Sequence, residues 1–193
     1  MRQIIVMLLM VMTPAIGYGN AFQLTAGVRN AELESSKWNG AEVVGTSYFD
    51  LNQHVLVGPY LSHTSWSVDG IPATWGQSSD LQLTEDQDGF TGNHIESGLK
   101  IKFYKTFTNV GIFAGLGYTI ISGGTLEAEN NIDLDVRGSR INAGGNFLIN
   151  KTMSLVSQIE QGDQALRTTS DDTFKSKQLF DSTTISLGLN WDY

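Results

Sequence analysis

Apolar and polar residues alternate with a period of two through most of this chain, which is the signature of strands with two unlike faces. Eight segments carry it. In the first, Phe22 to Arg29, Phe22, Leu24, Ala26 and Val28 share one face. The second, Ala41 to Asp50, sets Val43, Gly45, Ser47 and Phe49 against Glu42, Val44, Thr46, Tyr48 and Asp50. The third runs from Val55 to Val68 and leaves its apolar face open, because Val55, Val57, Pro59 and Leu61 compete with Leu56, Gly58 and Tyr60. The fourth opposes Ile95, Leu99, Ile101 and Phe103 to Glu96, Gly98, Lys100, Lys102 and Tyr104. The fifth puts Val110 through Ile120 on one side by twos, with Gly111, Phe113, Gly115 and Gly117 on the other. The sixth opposes Ile141, Ala143, Gly145 and Phe147 to Arg140, Asn142, Gly144 and Asn146, and extends back toward Asp133. Met153, Leu155, Ser157 and Ile159 face away from Ser154, Val156, Gln158 and Glu160 in the seventh. In the eighth, Ile185, Leu187, Leu189, Trp191 and Tyr193 oppose Thr184, Ser186, Gly188, Asn190 and Asp192.

Connections of unequal length are expected between these segments. Short ones fall at Leu51 to His54, Lys105 to Asn109 and Ile149 to Thr152, and long polar ones near 30–40, 69–93, 122–132 and 161–178. Tight turns at one end and long loops at the other are the habit of a membrane-spanning barrel with its turns in the periplasm. A backbone crossing hydrocarbon must satisfy its amides internally, so only helices and closed barrels can span. After Phe22 no apolar run approaches the length of a spanning helix. The predicted fold class is therefore all-β: a transmembrane, antiparallel, up-and-down barrel of eight strands. A soluble sandwich or lipocalin-like barrel also alternates, but it buries its apolar face and leaves charge in water.

The N-terminus agrees with export. Arg2 precedes the apolar run Ile4 to Met12, and Gly19 and Ala21 form a small-x-small pattern, so residues 1–21 read as a signal peptide and 22–193 as one barrel domain. A formal charge of −8 argues against nucleic acid as a partner. The absence of cysteine excludes disulfide scaffolds and thiol chemistry. Glycine at 21 residues, with only three prolines, suits strands packed around a narrow interior.

The C-terminus carries the most specific signal. Ser186, Gly188, Trp191 and Tyr193 fit polar-x-Gly-x-x-aromatic-x-aromatic, with tyrosine where phenylalanine is usual at the end. This resembles the C-terminal signature of bacterial outer-membrane barrels, and the strand pattern as a whole resembles the small eight-stranded ones, such as the outer membrane protein A transmembrane domain and the outer membrane protein X and W families. The resemblance implies the cell outer membrane as location. It also implies recognition of the last strand by the barrel assembly machinery, and contact with outer-membrane lipid and lipopolysaccharide.

Chemistry is sparse. His63 and Ser65 in "HTS" are similar to the His-x-Ser of an outer-membrane lipid A deacylase, but Trp66, Ser67 and Val68 replace that family's Asn-Ala-Gly and no acid follows at its spacing. His54 and His94 read as surface residues at a turn and a loop end, without metal-ligand spacing. Glu85 to Gly89 and Glu127 to Asp135 crowd acids where loops are expected, which reads as a solvated acidic face. Trp38 and Trp75 are candidate contact residues on the long loops expected near 30–40 and 69–93. No cofactor is implied.

The inward faces carry Glu42, Glu96, Lys100, Lys102, Arg140 and Glu160, three acids and three bases that would need one another away from bulk water. The expected function is a non-enzymatic, monomeric barrel with a side-chain-filled lumen and a structural or interaction role, binding an extracellular ligand through acidic loops. A narrow pore for small solutes and a lipid A-modifying enzyme are the alternatives. Cleavage after Ala21 predicts a mature chain that starts at Phe22, which N-terminal sequencing of the membrane-extracted protein checks; a retained Met1 would contradict it.

Overall fold

The computed structural model describes residues 21–33, 36–69, 89–127, 131–170 and 174–192. Their regular structure is eight strands: β1 (Ala21–Leu33), β2 (Ser36–Asn52), β3 (Val55–Asp69), β4 (Phe90–Thr106), β5 (Val110–Glu127), β6 (Ile132–Leu148), β7 (Met153–Ser170) and β8 (Phe174–Asp192). Each pairs antiparallel with its sequence neighbours, and β1 pairs with β8 from Ala21↔Asp192 to Glu32↔Asp181, closing the barrel. Closure leaves no edge, so the ladder groups find partners inside the sheet.

Tight turns join the strands at the end that holds Ala21 and Asp192. Two use the same chemistry: Asn52 Oδ1 accepts the His54 amide at 2.9 Å, and Asn150 Oδ1 accepts the Thr152 amide at 2.9 Å. Asparagine favours such turns because its side chain mimics a backbone carbonyl. The third closes through Phe107 N donating to the Val110 carbonyl at 2.8 Å.

The other end differs from the sequence expectation. Segments 30–40, 122–132 and 161–178 are mostly strand: β1 continues to Leu33 and β2 begins at Ser36, β5 reaches Glu127 and β6 begins at Ile132, and β7 reaches Ser170 with β8 resuming at Phe174. Only the connection between Asp69 and Phe90 is long. Polar residues had suggested loops there, yet they lie on strands whose outward face meets water. The third strand's open question also resolves, with Leu56, Tyr60, Ser62, Thr64, Trp66 and Val68 inward and buried.

The two faces exchange character along the barrel. In the half nearest the tight turns, the outward residues are apolar: Leu24 and Val28 on β1, Leu99, Ile101 and Phe103 on β4, Val110, Ile112, Leu116, Tyr118 and Ile120 on β5, Ile141 on β6, Leu155 and Ile159 on β7, and Ile185 and Leu187 on β8 are exposed. Inward residues at these levels are mostly polar or charged and buried, with Val44, Leu56, Phe113 and Val156 among them as apolar exceptions. Toward the opposite end the outward residues become Glu32, Asn39, Ser67, Asn93, Thr125, Asp133, Asp163 and Asp181, while the lumen holds Leu33, Trp38, Trp66, Phe90, Leu126, Ile132, Leu134 and Phe180. An apolar exterior over a polar interior suits hydrocarbon, and a polar exterior over an apolar interior suits water. One set of strands does both.

Irregularities in β5 and β6 accompany the exchange. Ser97 pairs with Ile121 and Gly98 with Thr119, so Ile120 and Ile121 both point outward and the parity of β5 reverses beyond them. The partner strand accommodates this at Gly138, whose φ of 148° a side chain would strain. At the turn end, Phe22 stacks on Trp191 with centroids 6.0 Å apart, and Phe103, Phe107 and Phe147 are exposed at the same end, as an interfacial aromatic girdle requires.

The polarity exchange predicts opposite tolerances on one strand. Leu116→Arg, in the middle of the apolar run on β5, should destabilise the barrel in lipid vesicles by about 2–4 kcal/mol. Thr125→Arg, outward on the same strand beyond the bulge, should shift stability by no more than about 0.5 kcal/mol. Urea unfolding of the two refolded variants checks the contrast.

Candidate functional site: the charged lumen

Three layers fill the barrel, and each follows from what its strands place inward. The middle layer is ionic. Arg29 of β1 donates from Nη1 to Glu96 Oε1 at 2.5 Å and to Glu42 Oε1 at 3.3 Å, and from Nη2 to Gln164 Oε1 at 2.6 Å and Ser182 Oγ at 3.2 Å. Arg140 of β6 donates from Nη1 to Glu160 Oε1 at 2.6 Å and Glu42 Oε1 at 3.0 Å, and from Nη2 to Glu96 Oε1 at 2.5 Å. Lys100 Nζ donates to Glu160 Oε2 at 2.6 Å.

Neutral groups complete it. Thr119 Oγ1 donates to Glu96 Oε2 at 2.8 Å, so the Tyr60 phenol, 2.6 Å away, donates to Thr119. Gln164 Nε2 donates to Glu96 Oε2 at 2.9 Å, and Thr184 Oγ1 donates to Glu42 Oε2 at 3.2 Å. All eight strands thus contribute at least one group. Three carboxylates, Glu42, Glu96 and Glu160, meet three cations, Arg29, Arg140 and Lys100, and all six side chains are buried. Matched, hydrogen-bonded charge is what makes such burial tolerable. Gly98 leaves room for the Tyr60 ring, since a Cβ there would strike both that ring and the Tyr118 carbonyl.

Above the ions, toward the end away from the tight turns, Trp38, Trp66 and Phe180 form a three-ring cluster. Each pair is edge-on, with centroids 5.5–5.7 Å apart. The Arg29 guanidinium lies 5.3 Å from the Trp66 ring and 5.8 Å from Phe180, so one side chain joins the ionic and aromatic layers. Below the ions, Lys102 donates to Gln23 Oε1 at 2.6 Å, and Gln23 Nε2 donates to Gln158 Oε1 at 3.1 Å. Under this amide layer the lumen opens into a cavity of about 330 Å³ at the turn end.

The structure brings Glu42, Glu96, Lys100, Arg140 and Glu160 together and leaves Lys102 apart, in ring and amide contacts without a salt bridge among the described residues. Arg29 takes the third cationic place. Parity along the first segment was the available signal, because Arg29 alternates with the apolar Val28. Trp38 is not a loop residue: it is buried in the lumen, since β2 starts at Ser36. Trp75 and residues 85–88 lie outside the described residues. His94 is likewise no surface residue. It is buried on β4, with Nδ1 3.4 Å from Glu96 Oε1, while His54 is exposed at its turn.

His63 and Ser65 both point outward on β3, where Ser65 Oγ donates to Asn93 Oδ1 at 3.0 Å. That hydroxyl is engaged by an amide rather than by a base, which is not the arrangement of an activated nucleophile. Ser186 and Gly188 face the lumen and Trp191 the outside, and Tyr193 lies outside the described residues.

No protein-family model matches this sequence, and no curated protein matches it in sequence either. Solved structures match in fold. Neisserial surface protein A is similar over 90% of this chain and 96% of its own, with a TM-score of 0.62 at 11% identity. The outer membrane protein OprG from Pseudomonas aeruginosa is similar over 91% of this chain and 96% of its own, with a TM-score of 0.58 at 11% identity. Outer membrane protein AlkL, in lipid bilayers, is similar over 91% and 90% of the two chains, with a TM-score of 0.50 at 9% identity. The fold of this chain is that of the small eight-stranded outer-membrane barrels.

Removing one partner of the ionic layer strands the others. Arg140→Met should lower stability by about 3–5 kcal/mol, because three carboxylates then face two cations away from water. The urea midpoint in vesicles measures it, and Lys37→Met on the outer surface is the control expected to change little.

Proposed function

We propose that this protein is a non-enzymatic, non-conducting barrel of the cell outer membrane, exported by residues 1–21, that stands as a rigid post and presents its polar end to extracellular partners. One observation carries the reading: the lumen is filled over most of its length, first by ion pairs from five strands with neutral hydrogen-bonding groups from the other three, and then by the aromatic and aliphatic plug. Water-filled porins use about 16–18 strands, and eight leave a bore just wide enough for side chains. Fixed salt bridges add an electrostatic obstacle, since an ion passing through would have to displace charges already matched.

The interaction role rests on the half of the barrel beyond the apolar belt. Among the residues whose side chains are described, its outward strand faces carry Glu32, Asp69, Glu127, Asp133, Asp163 and Asp181, against Lys37, Arg137 and Arg167. This acidity lies largely on the strands and is displayed by a rigid sheet. Such a surface disfavours polyanions and suits basic or cation-bridged partners, lipopolysaccharide phosphates joined by divalent ions among them. In this reading the chain works as a monomer, needs no cofactor, and Ser186, Gly188, Trp191 and Tyr193 form the signal by which the assembly machinery takes up the final strand.

In a planar lipid bilayer the refolded wild-type protein should give no stable unitary openings. Frequent, steady openings would replace this reading with a narrow pore. Deleting Trp191 to Tyr193 should reduce the heat-modifiable, folded fraction in the membrane, and undiminished assembly would remove the targeting role from those residues.

A further inference from the structure

The cavity at the turn end is more than the mouth of a plugged barrel. Its floor is the ammonium group of Lys102, a side chain only 7% exposed. Among the described residues that group makes one hydrogen bond, to Gln23 Oε1, and otherwise sits 4.2 Å from the centroid of Phe113 and 5.1 Å from that of Tyr48. An ammonium has three N–H donors, and ring faces stabilise its charge without accepting those protons conventionally. In contrast to Lys100, which reaches Glu160, it has no salt bridge among the described residues.

The cavity's other chemistry is graded along its depth. Leu56 and Phe113 supply apolar wall. Asn190 is buried, its Nδ2 donates to Asp192 Oδ1 at 2.8 Å, and its Oδ1 has no hydrogen-bond partner among the described residues. The carboxylates of Asp50 and Asp192 stand at the exposed lip. A buried cation at the bottom and carboxylates at the top repel simple ions of either sign at one end or the other. A molecule carrying both charges meets each with its opposite.

From this arrangement we propose that the turn-end cavity binds a small organic zwitterion, its anionic group on Lys102 and its ammonium toward Asp192 and Asp50, with an apolar body against Leu56 and Phe113. A volume of about 330 Å³ lies within the range of small-molecule sites. The ionic layer and plug above make it a dead end, so the site binds without conducting. Its walls are lumen-facing residues of a closed sheet, which keeps lipid acyl chains outside and favours a free solute over a lipid headgroup.

Titration calorimetry of the full refolded barrel in octyl glucoside, an uncharged detergent, tests this with three probes of one skeleton: L-phenylalanine, hydrocinnamate lacking the ammonium, and phenethylamine lacking the carboxylate. L-phenylalanine should bind at least about tenfold more tightly than either analogue, a difference of about 1.4 kcal/mol. Lys102→Met, checked for folding by heat-modifiable mobility, should abolish that binding. Asp192→Asn, which keeps the side chain's size and is checked for folding in the same way, should bring L-phenylalanine close to hydrocinnamate. Absence of heat from all three probes, equal affinity for phenethylamine, or unchanged selectivity in Asp192→Asn would overturn the proposal.

Discussion

Everything in this molecule follows from a backbone that must bond only to itself where water is absent. Closing β1 onto β8 meets that requirement, and with eight strands it also fixes an interior that side chains fill. The inward positions in the membrane half are therefore neither solvent channel nor ordinary core. Because the outward positions must be apolar there, polar sequence is turned inward, and it has to be satisfied within one narrow bore. The ion layer is the result of that confinement.

Arg29 and Arg140 show how the confinement is resolved. Each guanidinium reaches Glu96 and Glu42, and Arg140 reaches Glu160 as well, so carboxylates from three strands are held by cations from two others. A fork of fixed donors suits this better than a flexible ammonium, which serves Glu160 alone through Lys100. Arg29 also lies over Trp66 and Phe180, where a lysine would offer no flat face. It stands at the level where the lumen changes from polar to apolar and the exterior changes in the opposite sense. The same strands are membrane barrel below that level and water-soluble barrel above it.

This exchange changes what an outward display surface means here. The polar residues beyond the belt sit on paired strands and not on long connections, apart from the segment between Asp69 and Phe90. A partner on that side meets a sheet of fixed spacing. The turn end, by contrast, offers a cavity with Lys102 at its floor, chemically separate from the ion layer because Gln23 and Gln158 lie near it. The similar solved structures share the architecture at about one residue in ten, so chemistry of this kind belongs to the individual chain and not to the fold.

The sequence by itself determined the strand count, the tight turns and, on every strand but β3, the inward and outward residues of the membrane half, because a period of two reports directly which face meets hydrocarbon. Leu99, Ile101 and Phe103 against Lys100 and Lys102 admit one orientation once the sheet is closed. It did not determine how far the strands continue past the belt. There Glu32, Asp133 and Asp163 alternate with Leu33, Leu134 and Gln164, and a polar outward face on a water-exposed strand reads locally as loop. The tertiary structure alone decided that Trp38, Trp66 and Phe180 meet, that Arg29 joins the ion layer, and that Lys102 does not. Those outcomes depend on register and stagger between strands far apart in sequence, and a side chain's height in a closed barrel is set by all eight registers together rather than by its own strand.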